Sequence, residues 1–103
     1  MTKIFLDTAN IDDIKTYTEW GIAQGVTTNQ KIFLKEKGVD FKSQAQQILN
    51  LAPGLPVSLE APAQTVEGII EKAREFTELG DNVVIKVPMT GNGDGLRAVH
   101  ILE

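Results

Sequence analysis

Four times along this chain a short apolar, often β-branched segment is followed by a polar turn and then by a stretch whose apolar residues recur at helical spacing. The apolar segments run from Lys3 to Asp7, Gly25 to Thr28, Pro56 to Glu60 and Val83 to Val87. This rhythm constrains the fold more than any other feature, because strands that alternate with helices pair in parallel, each helix carrying the chain back to the same end of the sheet. The connections are long enough, since a strand–helix–strand unit takes roughly 30 residues. The strands read as nearly unbroken apolar runs, which predicts a sheet covered on both faces.

The intervening stretches carry helix signals. Asn10 is placed to cap a helix whose first turn holds Asp12 and Asp13, where the positive end of the helix dipole favours carboxylates. Ile14, Tyr17 and Trp20 are expected on its inner side, and Gly21 ends it. Phe41, Ala45, Ile48 and Leu49 mark a second helix before the breaker Pro53-Gly54. Val66, Ile69, Ile70, Ala73 and Phe76 mark a third, closing at Leu79-Gly80, and Leu96, Val99 and Leu102 a fourth. The glycine-rich segment from Gly91 to Gly95 lacks both a spaced Lys-Ser/Thr pair and a G-x-G-x-x-G run, so it reads as a plain turn. The order is therefore β-α four times over, an α/β chain with a parallel sheet. Two architectures fit: a small doubly wound sheet, or half of a (β/α)8 barrel, which takes about 250 residues when whole. With 103 residues and 42% hydrophobic content, residues 1–103 are expected to form one domain.

Charge and composition exclude several function classes. Ten basic against fourteen acidic residues give a net charge of -4, which offers no basic footprint for nucleic acid. There is no cysteine, and the lone His100 cannot assemble a histidine cluster, so no metal site is expected. The N-terminus reaches Asp7 after only three apolar residues and no long apolar stretch follows, which predicts no signal peptide, no membrane span and a cytosolic protein.

In parallel α/β proteins catalytic groups collect at the carboxyl ends of the strands. Here the first strand ends in Asp7, the second runs into Thr27-Thr28-Asn29, the third ends in Ser58-Leu59-Glu60, and the fourth carries Lys86 before Val87-Pro88. Lys86 is the most informative, because a lysine flanked by Val84, Ile85, Val87 and Pro88 is expected to be buried. Burial disfavours the ammonium form and would lower its pKa, leaving an amine able to attack a carbonyl. The plainer alternative is a lysine that snorkels to solvent or pairs with Glu60; polar residues at all four strand ends favour the chemical reading. Asp7 and Glu60 are the natural acid–base partners for imine chemistry, against the alternatives that Asp7 caps the next helix and Glu60 only neutralises Lys86. Asn29 and Thr28 are expected to hydrogen-bond substrate hydroxyls, although Asn29 fits an Asx-turn almost as well.

The segments Ile4-Phe5-Leu6-Asp7-Thr8-Ala9-Asn10, Gly25-Val26-Thr27-Thr28-Asn29, Pro56-Val57-Ser58-Leu59-Glu60 and Val84-Ile85-Lys86-Val87-Pro88-Met89-Thr90 closely resemble the transaldolase family, in particular its short members of the fructose-6-phosphate aldolase type. The resemblance implies a (β/α)8 barrel with Lys86 as the Schiff-base residue. Asp7 would then be the acid–base group at carbon–carbon cleavage, Glu60 a proton relay through water, and Asn29 a ligand of substrate hydroxyls. It implies a dihydroxyacetone unit moved between sugar phosphates, as in the pentose phosphate pathway, without metal or organic cofactor. Gln30-Lys31 departs from the proline usual after the Thr-Thr-Asn triplet. Strands five to eight, and the phosphate-holding arginine they carry in the family, are not matched within 103 residues. The expected object is thus the amino-terminal half of a barrel, either part of a longer protein or a module completed by a second copy or a partner chain. A non-catalytic assembly module is the rival reading.

Overall fold

The computed structural model describes residues 2–28, 40–61, 65–89 and 93–103. Four strands, β1 (Phe5–Asp7), β2 (Gly25–Thr27), β3 (Val57–Glu60) and β4 (Val83–Lys86), form one sheet in the order β1-β2-β3-β4, every neighbouring pair parallel. Helices α1 (Ile11–Glu19), α2 (Phe41–Leu51), α3 (Val66–Thr77) and α4 (Asp94–Leu102) alternate with them. Strands that follow one another in space as in sequence have no point where the order reverses. That separates a barrel arrangement from the doubly wound alternative, which turns on such a reversal. The fold is the first half of a (β/α)8 barrel.

Local chemistry explains the helix boundaries. The Asn10 side chain accepts from the Asp13 amide at 3.0 Å, and Gly21, at φ +74°, turns the chain out of α1 in a conformation few other residues adopt. Asp40 and Thr65 cap α2 and α3 in the same way, accepting from Ser43 and Gly68 at 3.1 Å each. The fourth start differs: α4 follows Gly93 at φ +82° without a side-chain cap, so the glycine-rich segment is partly helix and Gly95 sits in the first turn. A Cβ on Gly95 would meet the Pro88 carbonyl oxygen at 2.2 Å, so only glycine lets α4 lie this close to the chain leaving β4.

Registered residues of parallel strands point to one face, and two sets result. Leu6, Val26, Val57 and Val83 form one row of the first set, with Leu59 and Ile85 above them. Val26, Val57 and Leu59 are completely buried, packed with Ile14, Ala45, Ile48, Leu49 and Phe76 from the helices. A smaller cluster of Ala61, Ile69 and Ala98 joins α3 and α4 to the sheet. The second set, Phe5, Asp7, Gly25, Thr27, Ser58, Glu60, Val84 and Lys86, points the other way. No described helix covers that side, where Phe5 and Val84 remain 45% and 48% exposed. The expectation of two covered faces therefore fails for these residues: apolar runs such as Val83–Lys86 suit a closed barrel interior, and half a barrel leaves that interior open.

Two inner-side assignments are corrected. Ile14 is fully buried, but Tyr17 and Trp20 are exposed and meet edge to face, ring centroids 5.3 Å apart. Steps of three residues drift about 60° per step around an α-helix, so Trp20 lies far from the Ile14 face. The helix marked by Leu96, Val99 and Leu102 forms as α4, which buries Gly95 and Ala98 while Leu96 is exposed.

Candidate active site

The open face of the sheet, at the carboxyl ends of its strands, carries the polar residues. Glu60 and Lys86 are registered partners on β3 and β4, with the Lys86 Nζ 3.9 Å from a Glu60 carboxylate oxygen. That is the outer limit of an ion pair, and no direct hydrogen bond reaches so far. One row lower, Asp7, Thr27, Ser58 and Val84 lie side by side across all four strands. Asp7 accepts a hydrogen bond from the Thr27 hydroxyl at 2.9 Å. It does not cap α1, a role taken by Asn10.

Asp7, Glu60 and Lys86 thus share a face, but Asp7 stands apart from the other two. Three strand spacings of about 4.8 Å separate β1 from β4, and one row is about 6.6 Å along the strand. A carbon chain of several atoms fits between an amine on β4 and a carboxylate on β1, with Glu60 beside the amine.

The burial expected of Lys86 is not found in this sheet. Its side chain is 51% exposed and that of Glu60 23%. The apolar neighbours that suggested burial, Ile85 and Val87, belong to the helix-facing side of β4, where Ile85 packs against both core clusters. Alternation puts Lys86 on the bare side.

The two threonines after β2 divide as a strand requires. Thr28 is 1% exposed on the helix-facing side, where its hydroxyl donates to the Ser58 carbonyl at 2.6 Å. A hydroxyl so engaged is turned toward the helices and away from the open face, where Thr28 was expected to meet substrate hydroxyls. Thr27 occupies the open face instead, and with Ser58 it is the polar group that sequence reasoning passed over. The signal was available: the parity that puts Asp7 on one face puts the registered Thr27 there too. Asn29, expected to bind substrate hydroxyls, lies outside the described residues.

Away from this face, Lys42 of α2 and Glu75 of α3 form an ion pair, with Lys72 3.4 Å from the same carboxylate. The hydrogen bond from Lys42 holds the Glu75 carboxyl below its usual range, and the same bond raises Lys42. No described helix is long and apolar enough to cross a membrane.

A conserved-family model described as transaldolase/fructose-6-phosphate aldolase matches residues 4–103. The chain belongs to that family. Relatives named "Probable transaldolase" include those of Aquifex aeolicus, 50% identical over 101 residues, and Thermoplasma acidophilum, 49% identical over 103 residues. Another, from Roseiflexus castenholzii, is 47% identical over 100 residues. These alignments take in 97–98% of this chain but only 45% of each relative, so the chain spans less than half their length.

Proposed function

We propose that the complete protein is a cytosolic Schiff-base aldolase or transaldolase acting on ketose phosphates, with Lys86 forming the imine. The observation that carries this reading is the convergence of an amine and two carboxylates from β4, β3 and β1 on one face, at the strand ends where barrel enzymes do their chemistry.

The Lys86 amine attacks the substrate ketone to give a carbinolamine, which loses water to form a protonated imine. Glu60, next to that nitrogen but beyond direct hydrogen-bond reach, exchanges the required protons through a bridging water. Asp7 then takes the proton of the hydroxyl on the carbon beyond the scissile bond. The bond's electron pair moves into the imine, leaving an enamine on Lys86 and releasing an aldehyde. Protonation and hydrolysis of the enamine amount to aldol cleavage; its attack on a second aldose amounts to transfer. Family membership and the relatives' names support this chemistry, as does a face that supplies every proton carrier from side chains, with no metal or organic cofactor invoked.

The bare face and the two sheet edges, β1 and β4, support a further element of the reading: the second half of a barrel covers this surface in the working protein. That cover would desolvate Lys86 and bring the groups that hold the substrate phosphate. Borohydride reduction in the presence of fructose 6-phosphate tests the proposal. The expected result is a mass increment on the peptide containing Lys86 that disappears in Lys86→Met. Labelling that persists in Lys86→Met, or its absence from the wild type, overturns it. The rival reading, a module that only assembles, predicts a defined oligomer by light scattering with no trapping.

A further inference from the structure

We propose that Thr27 is a positioning residue that aims the Asp7 carboxylate, and that it acts on carbon–carbon cleavage without affecting imine formation. The proposal rests on the Schiff-base reading of Lys86.

Asp7 and Thr27 are registered partners on β1 and β2, so their side chains stand next to each other on the open face. The Thr27 hydroxyl has one proton and two acceptors in reach, an Asp7 oxygen at 2.9 Å and the Leu6 carbonyl at 3.4 Å. The shorter contact, to a carboxylate, is charge-assisted and takes the proton. Among the described residues no other side chain donates to Asp7. It also sits on an edge strand with no described neighbour on its far side, and its side chain would otherwise sample several rotamers. Threonine suits an anchoring role, because branching at Cβ stiffens the torsion that directs its hydroxyl. One Asp7 oxygen is thereby pinned toward β2, and the other is left for the substrate hydroxyl. Imine formation takes place at Lys86, beside Glu60 and at the opposite edge of the sheet, and makes no use of this contact.

The test compares Thr27→Val, which keeps the shape and removes the hydroxyl, with Thr27→Ser, which keeps the hydroxyl, both in the complete protein. Two rates are read for each: borohydride-trappable imine formation and release of aldehyde from a ketose phosphate. Thr27→Val is expected to slow aldehyde release about tenfold, the size of one charge-assisted hydrogen bond, with imine formation within about twofold of wild type. Thr27→Ser is expected to restore most of the lost rate. On an Asp7→Asn background, Thr27→Val should add little, because the residue it serves is already disabled. Equal loss of both rates in Thr27→Val, no loss of aldehyde release, or full additivity with Asp7→Asn overturns the positioning role while leaving Lys86 trapping intact. Failure to trap any imine in the wild type is a different pattern, and it overturns the Schiff-base reading and this role together.

Discussion

The two faces of the sheet are made by the same four strands and have opposite fates. On one, Val26, Val57 and Leu59 are removed entirely from solvent in a cluster with residues of α1 to α3; on the other, Phe5, Val84 and Lys86 are each about half exposed. The helix-facing side is nearly all hydrocarbon, and its polar member, Thr28, is satisfied by the Ser58 carbonyl. The open side mixes an acid, two hydroxyls, a second acid and an amine with Phe5 and Val84. Apolar burial therefore concentrates on one side and ionisable groups on the other, separated by single-residue alternation. A strand can serve both only because successive side chains point in opposite directions.

Several substitutions would break or sharpen this contrast. The largest expected effect is on chemistry alone: Lys86→Met should abolish imine trapping while leaving the urea midpoint of the 103-residue chain close to wild type, since a half-exposed side chain contributes little to its core. Next in size, Ile48→Ala or Leu59→Ala, on the covered side, should each cost about 2–5 kcal/mol in urea unfolding, with Val84→Ala on the bare side costing under about 1 kcal/mol. Equal costs on the two sides would show that the bare face is already covered in the isolated chain, by self-association for instance.

A smaller effect is expected at Gly25, where a Cβ would lie 2.4 Å from the Phe5 ring. Gly25→Ala should cost about 1–3 kcal/mol, and Phe5→Ala in the same chain should recover part of it, because the ring faces the open side and not the helices. Comparable in size is Gln44→Leu, since the buried Gln44 amide donates to the Ala9 carbonyl at 2.6 Å and so ties α2 to the loop after Asp7. Orphaning that carbonyl should cost about 1–3 kcal/mol, read as a lower urea midpoint.

The smallest effect belongs to the Lys42–Glu75 pair on the outer helices. Glu75 is held below its usual range by its hydrogen bond from Lys42, so its contribution is present above the unfolded-state value and fades as pH falls through the folded one. Lys42 is raised, so its contribution is present below the unfolded value and is lost as pH rises through the folded one. Lys42→Met should lower the thermal midpoint slightly near neutral pH, where both contributions are present, and leave it nearly unchanged at the acid and alkaline ends, so that the pH profile flattens.

Strand locations, the Asn10 cap and the placement of polar residues at strand ends were legible in the sequence because each depends on a few adjacent residues. Asn10 capping α1, the breaker after α2, and Asp7, Glu60 and Lys86 at strand ends are local signals of that kind. Tyr17 and Trp20 were misassigned because three-residue spacing approximates a helical face only over a turn or so. Which of Thr27 and Thr28 faces the open side was not legible for a related reason: consecutive threonines look alike until the parity of the strand is counted from its registered neighbour.

By itself, the sequence determined a parallel β-α repeat with an amine and two carboxylates at the strand ends. Apolar periodicity and turn chemistry act over a few residues and survive without tertiary context. Only the tertiary structure decided which side of each strand meets the helices, that Lys86 lies on the uncovered side, and that Thr27 holds Asp7. Those outcomes depend on register between strands some twenty to thirty residues apart, and a shift of one residue would have exchanged the two faces.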